Sequence, residues 1–162
     1  QLIESHNGTI WCNSKLEKGS SFYFVIPLLD SYSKFLIDLK QNLQKAKVGN
    51  STLALVKIRT SEEILEQIKT QILTEKHLEN AAYEVQDDFC TLSLAIPEGD
   101  KYSADFLKKR IQDFANTNKN LCENYDIMFS YGVYPRDALD DIDLIKKVNK
   151  SFQTIKITNE IS

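Results

Sequence analysis

The 162-residue chain has three cysteines, at positions 12, 90 and 122, and no two of them form a Cys-x-x-Cys pair. That excludes a disulfide framework and the common structural zinc motifs. There are only two histidines, His6 and His77, far from each other and from any cysteine, so a zinc site is not expected. Each cysteine has apolar neighbours in the chain, and all three are expected as buried or half-buried thiols in a reducing compartment. No run approaches the roughly 18 apolar residues that would cross a bilayer. A charged start followed by a small-residue cleavage site, the mark of a secretory signal, is also missing. Neither sign of charge dominates: 20 Lys and Arg stand against 23 Asp and Glu, interspersed along the chain. Nucleic-acid binders carry a basic patch or stripe, and Lys45 with Lys47 reads only as a solvated helix end. The expectations are a cytoplasmic segment with no nucleic-acid partner and no membrane contact of its own. Gln1 opens in mid-pattern without a starter Met, as a piece of a longer chain would.

What is present is apolar material for one domain and an appendage, at 42% hydrophobic residues. Residues 1–5 end a helical segment, and His6-Asn7-Gly8 stops it. Two β-prone runs follow, 9–12 and 21–27, joined by a charged turn at 15–19. A lone hairpin is marginal in water. From 31 to 47 the period becomes helical, with Tyr32, Leu36, Leu39, Leu43 and Ala46 at alternating spacings of four and three. Two heptads suit either a short coiled coil or a helix lying on its own domain, and Gly49-Asn50 ends it.

The apolar run 53–58 suits a buried central strand. Thr60 with Glu63 makes a capping box for a helix whose buried stripe is Ile64, Ile68 and Ile72. Residues 83–86 and 89–96 are strands around a tight turn at Asp87-Asp88. Leu107, Ile111 and Phe114 mark a helix starting near Ser103. Residues 127–134 form a strand ended by Pro135. Asp140, Asp141 and Asp143 then open a helix that closes on Lys146, Lys147 and Lys150, and 153–158 form a last edge strand. The fold class is α/β, more narrowly α+β: a βαββαβ palm with a central mixed sheet, preceded by a helix and an N-terminal hairpin.

The first 29 residues resemble the C-terminal end of a histidine-kinase ATP-binding domain. The carriers are Glu4-Ser5-His6-Asn7-Gly8-Thr9-Ile10-Trp11 and Gly19-Ser20-Ser21-Phe22-Tyr23-Phe24-Val25-Ile26-Pro27-Leu28, with Asn7 replacing the first glycine of the family's turn. The family's magnesium-binding asparagine, adenine site and glycine-rich lid would lie upstream of Gln1. The resemblance therefore implies a parent that uses ATP and Mg2+, while this segment has no cofactor and no catalytic or metal-binding residue of its own.

The remainder resembles a degenerate GGDEF domain, the fold of diguanylate cyclases. It carries the strand Leu53-Ala54-Leu55-Val56-Lys57-Ile58, the hairpin Val85-Gln86-Asp87-Asp88-Phe89, then Ser130-Tyr131-Gly132-Val133 and the helix entry 137–144. The organisation implied is residues 1–29 as kinase remnant, 30–50 as connecting amphipathic helix and 51–162 as GGDEF-like domain.

Cyclases of that family hold magnesium ions on opposed carboxylates so that a 3′-hydroxyl can attack an α-phosphate. The aspartate expected directly after the first strand is Arg59, whose fixed positive charge repels a cation. The two signature glycines that let backbone approach the nucleotide are Val85 and Gln86. Asp87 and Asp88 keep their charge, which leaves half a metal site. At the family's product-inhibition position stand Lys76-His77-Leu78-Glu79, without the arginine that grips phosphate.

The expectation is a non-enzymatic regulatory or interaction module on a bacterial two-component sensor kinase. Its partners would be a second copy, forming a homodimer, or the kinase's own domains, and the parent could be membrane-anchored. The alternatives are a pseudo-receiver domain of a hybrid kinase, with Ser93 at the phospho-acceptor position, and weak binding of GTP or cyclic di-GMP. A receiver requires an all-parallel sheet; the GGDEF-like reading requires an antiparallel hairpin at Asp87-Asp88.

Overall fold

The computed structural model of the chain describes residues 9–15, 18–25, 30–86 and 89–157, and the side chain of Gln86 lies outside that description. The sequence expectations at His6-Asn7-Gly8, Pro27, Asp87, Asp88 and Thr158 lie outside the described residues. The chain divides into two compact units at Asp30 and Ser31.

The first unit is a hairpin of β1 (Thr9–Lys15) and β2 (Gly19–Val25), paired antiparallel with Trp11 opposite Tyr23. Gly19 takes φ +89°, the left-handed region that spares glycine a steric cost. The Trp11 and Tyr23 rings stack at 5.6 Å between centroids. Every described strand residue of this unit is exposed, including Cys12. Cys12 thus departs from the buried thiol expected, because a two-stranded ribbon has no second layer to cover it.

The second unit begins with helix α1 (Ser31–Gly49). Its stripe of Phe35, Leu39, Leu43 and Ala46 is buried in one cluster with Leu53, Leu55 and Ala95 of the sheet, and Tyr32 and Leu36 pack at the margin. The heptad-like seam therefore faces the helix's own sheet. Asn50, not Gly49, takes the left-handed conformation at φ 48°. The Ser51 N–H then returns to the Ala46 carbonyl at 2.9 Å, which closes the helix end.

The chain continues as β3 (Leu53–Thr60), α2 (Glu62–Gln71), α3 (Glu75–Leu78), β4 (Ala81–Gln86), β5 (Phe89–Pro97), α4 (Lys101–Thr117), α5 (Lys119–Cys122), β6 (Met128–Tyr134), α6 (Asp141–Lys150) and β7 (Gln153–Thr154). The five strands lie in the order β4-β5-β3-β6-β7. Every pairing is antiparallel, which corrects the mixed sheet expected. The reason is topological. In each split βαβ unit the two parallel strands lie one place apart, with an antiparallel strand hydrogen-bonded between them. Gln86 pairs with Phe89, so β4 and β5 form the hairpin foreseen around positions 87 and 88. Leu55 and Phe89 lie in neighbouring strands of one sheet.

β3 is buried at every residue but Arg59, as a central strand should be. Its two faces serve two clusters. Val56 and Ile58 meet Ile64 and Ile68 of α2 and Leu107 and Ile111 of α4, while Leu53 and Leu55 meet α1 and α6. Local signals set most helix starts. Asp100 caps α4 by accepting from the Ser103 N–H at 2.8 Å, and Asp140 caps α6 through the Asp143 N–H at 2.8 Å. The α2 cap is Ser61, whose Oγ accepts from Ile64 N–H, and Thr60 is instead the buried end of β3. Strand pairing with Cys90 holds Thr60 extended, which moves the cap one residue on.

Candidate functional site

The sheet end that carries Arg59 also carries Val85 and Phe89, the described flanks of the β4–β5 hairpin. On the face shared with α1 and α6, β3 presents Leu53, Leu55, Lys57 and Arg59. The register sets Glu84 of β4 beside Thr91 of β5, Thr91 beside Arg59, and Arg59 beside Met128 of β6. One step inward, Lys57 stands between Ser93 and Ser130. At the hairpin itself Val85 and Phe89 are exposed, while Asp87 and Asp88 lie outside the described residues.

Each cation here is engaged by the protein. The Arg59 Nε–H donates to Thr91 Oγ1 at 3.1 Å, and the guanidinium lies over the Phe152 ring at 4.6 Å. A planar guanidinium satisfies both contacts at once, whereas a carboxylate could only accept from the Thr91 hydroxyl and would be repelled by the ring face. This position does not fit a magnesium ion. Among the described residues no group of three or more His, Cys, Asp or Glu is placed to hold a metal.

Lys57 is buried, with its amine 5.5 Å from the Tyr32 ring centroid. Burial holds its pKa below the ordinary 10.5; the Glu84 carboxylate works against that and Arg59 with it. Burial, helped by Glu84, pushes the Tyr32 phenol up. Ser130 Oγ lies 2.9 Å from Ser151 Oγ. The Ser93 and Thr60 hydroxyls are buried without a hydrogen-bond partner among the described protein atoms.

No protein-family model matches the chain, and no curated protein matches it.

Two other sequence candidates take local roles. Ser93 is fully buried in mid-strand between β3 and β4. A phospho-acceptor must reach solvent, and a receiver sheet is parallel, so neither requirement of the receiver reading is met by the geometry. His77 caps α3 by accepting the Thr74 N–H on Nδ1 at 3.2 Å. That bond requires Nδ1 to be unprotonated. Burial, then Arg110 and Lys76, pull the imidazole pKa down. On the opposite sheet face, the Tyr83 hydroxyl donates to Cys90 Sγ at 3.0 Å, and that contact leads the causes raising its pKa.

The sequence did carry a signal for Lys57, a lone lysine inside an apolar strand. It carried none for a second polar region at the outer edge of β6, where Lys108, Arg136 and Lys147 meet. Those residues come from two helices and a loop on different sides of the sheet, and no linear spacing joins them.

Proposed function

We propose that residues 31–162 are a non-catalytic regulatory module, attached after the ATP-binding domain of a bacterial sensor histidine kinase. The observation that carries this reading is the engagement of Arg59 by Thr91 and Phe152, at the position where a diguanylate cyclase would need a metal-binding aspartate. A nucleotide-cyclising site depends on a cation between opposed carboxylates, and a guanidinium fixed there by two contacts opposes it. The βαββαβ order supports a cyclase-like origin for the scaffold but says nothing of activity.

The module acts by contact, through docking to kinase domains or pairing with a second copy. Helix α1 does not serve as a coiled coil in this scheme, since its apolar stripe is occupied by the sheet. Outside that stripe α1 leaves Ile37 and Val48 exposed.

The sequence upstream of Gln1 tests the kinase assignment. An Asp-x-Gly-x-Gly site and a phospho-accepting histidine are expected, and their absence would remove it. In that parent, deletion of residues 31–162 should alter the autophosphorylation rate without abolishing it. An unchanged rate would leave the module with no regulatory role.

A further inference from the structure

The outer edge of β6 is covered only in part. β7 pairs with Met128 and Phe129, and the Ile155 N–H reaches the Ile127 carbonyl at 2.7 Å. At the other end, Val133 N–H donates to Asp137 Oδ2 at 2.9 Å, and its carbonyl accepts from the Asp137 N–H at 2.7 Å. In an antiparallel ladder, residues alternate between pairing inward and outward. Positions 127 and 133 pair outward, so the main-chain N–H and C=O of Tyr131 also face out. This gap is one residue long, between two capped stretches.

A cavity of about 200 Å³ opens at the gap, lined among others by Lys108, Tyr131, Arg136, Asp137, Lys147 and Ser151. The balance of charge around it is positive. Its one carboxylate, Asp137, accepts from Arg136 Nε at 2.9 Å and Nη2 at 2.6 Å, besides the Val133 N–H. Asp105, on α4, and Arg136 are both engaged with the Tyr131 phenol. Lys108 donates at 2.8 Å to the neutral amide oxygen of Gln153. Lys147 comes from the opposite face of the sheet, near enough to favour the ionised form of Asp137.

We propose that this niche binds a compact oxyanion of the phosphoryl class, held by the ammonium groups of Lys108 and Lys147 and the Tyr131 N–H. Two lysines brought from opposite faces of a sheet to one edge, around an outward main-chain donor, supply convergent donors for tetrahedral oxygens. One residue of open edge is too short to pair an added strand, so the occupant is a small anion and not an extended peptide. The inference stands apart from the proposed regulatory role and from the Arg59 end of the sheet.

The test is calorimetric titration of the intact chain at low ionic strength with inorganic phosphate and with ribose 5-phosphate. An amide NMR spectrum should report the Tyr131 N–H shifting in step. Saturable binding is expected, weakened roughly tenfold in Lys108→Gln and in Lys147→Gln, as loss of one charge-assisted hydrogen bond implies. Lys146→Gln, one residue along α6 and facing Asp143, should bind as the parent does. Tighter binding of ribose 5-phosphate would identify a phosphomonoester as the ligand, and equal binding would identify the free anion. No saturable heat overturns the proposal. So does an equal loss in the Lys146→Gln control, which would mean diffuse surface charge.

Discussion

The Lys57 amine sits 5.5 Å from the centre of the Tyr32 ring, joining the middle of the central strand to the first turn of the opening helix. A lysine so buried is held there by a ring face and a carboxylate at Glu84, and its desolvation is only partly offset. Replacement by an apolar residue of similar length should therefore stabilise the domain. Lys57→Met is expected to gain about 1 kcal/mol in denaturant unfolding near neutral pH. The sign of the pH effect follows from the depressed pKa. The folded state binds fewer protons than the unfolded chain, so Lys57 makes stability rise with pH between its lowered value and the ordinary 10.5. That rise should flatten in Lys57→Met.

His77 gives a second pH signature in a different window. Its pKa is lowered and its Nδ1 accepts the Thr74 N–H, so the associated stability is present above 6.5 and lost as pH falls through the folded value. Hydrogen exchange at the Thr74 amide should accelerate below that range more than at amides of α4. His77→Gln, which keeps an acceptor at the position, should remove the pH dependence.

Gly132 is required by packing. A methyl group there would stand 3.0 Å from Leu144 Cδ1 and 3.1 Å from Val148 Cγ2, both on buried side chains of α6. Gly132→Ala should cost about 1–3 kcal/mol and Gly132→Val more, by forcing α6 away from β6. Thermal unfolding of the two variants checks the order.

The thiols should separate cleanly. Cys12 is exposed, whereas Cys90 and Cys122 are buried, and burial pushes the Cys122 thiol up. An aromatic disulfide reagent should titrate one thiol quickly in the folded chain and the other two only on unfolding. Two fast thiols would contradict the packing of β5 or α5.

The strands and the longer helices of the second unit were legible because their signals are local, while the four-residue helices α3 and α5 were not foreseen. The Leu53-Ala54-Leu55-Val56 run, the Ile64 and Ile68 stripe and the Asp140 opening of α6 each act within a few residues, and the structure uses them, whereas the Asp100 cap starts α4 at Lys101, ahead of the start expected near Ser103. Legibility failed where tertiary context decides. The α1 stripe fits a partner helix as well as its own sheet, and only the fold selects the sheet. Thr60 and Ser61 are both competent caps, and pairing of β3 with β5 chooses between them. At the Arg59 end, the identity of the residue was readable from the chain. Its anchors, Thr91 and Phe152, were not, because they lie 32 and 93 positions away.

Those anchors also carry a prediction. Arg59→Ala should lose about 1–2 kcal/mol of stability through the broken hydrogen bond and ring contact. Thr91→Val should lose part of the same energy, and the double variant should fall short of the sum, since the two share one contact.

Pyrophosphate release from GTP by the intact chain, followed with and without Mg2+, tests the non-catalytic assignment most directly. The predicted result is release no faster than in protein-free buffer at any magnesium concentration. Magnesium-dependent release that disappears in Asp88→Ala would contradict it, because the hairpin would then be assembling a working cation site despite Arg59.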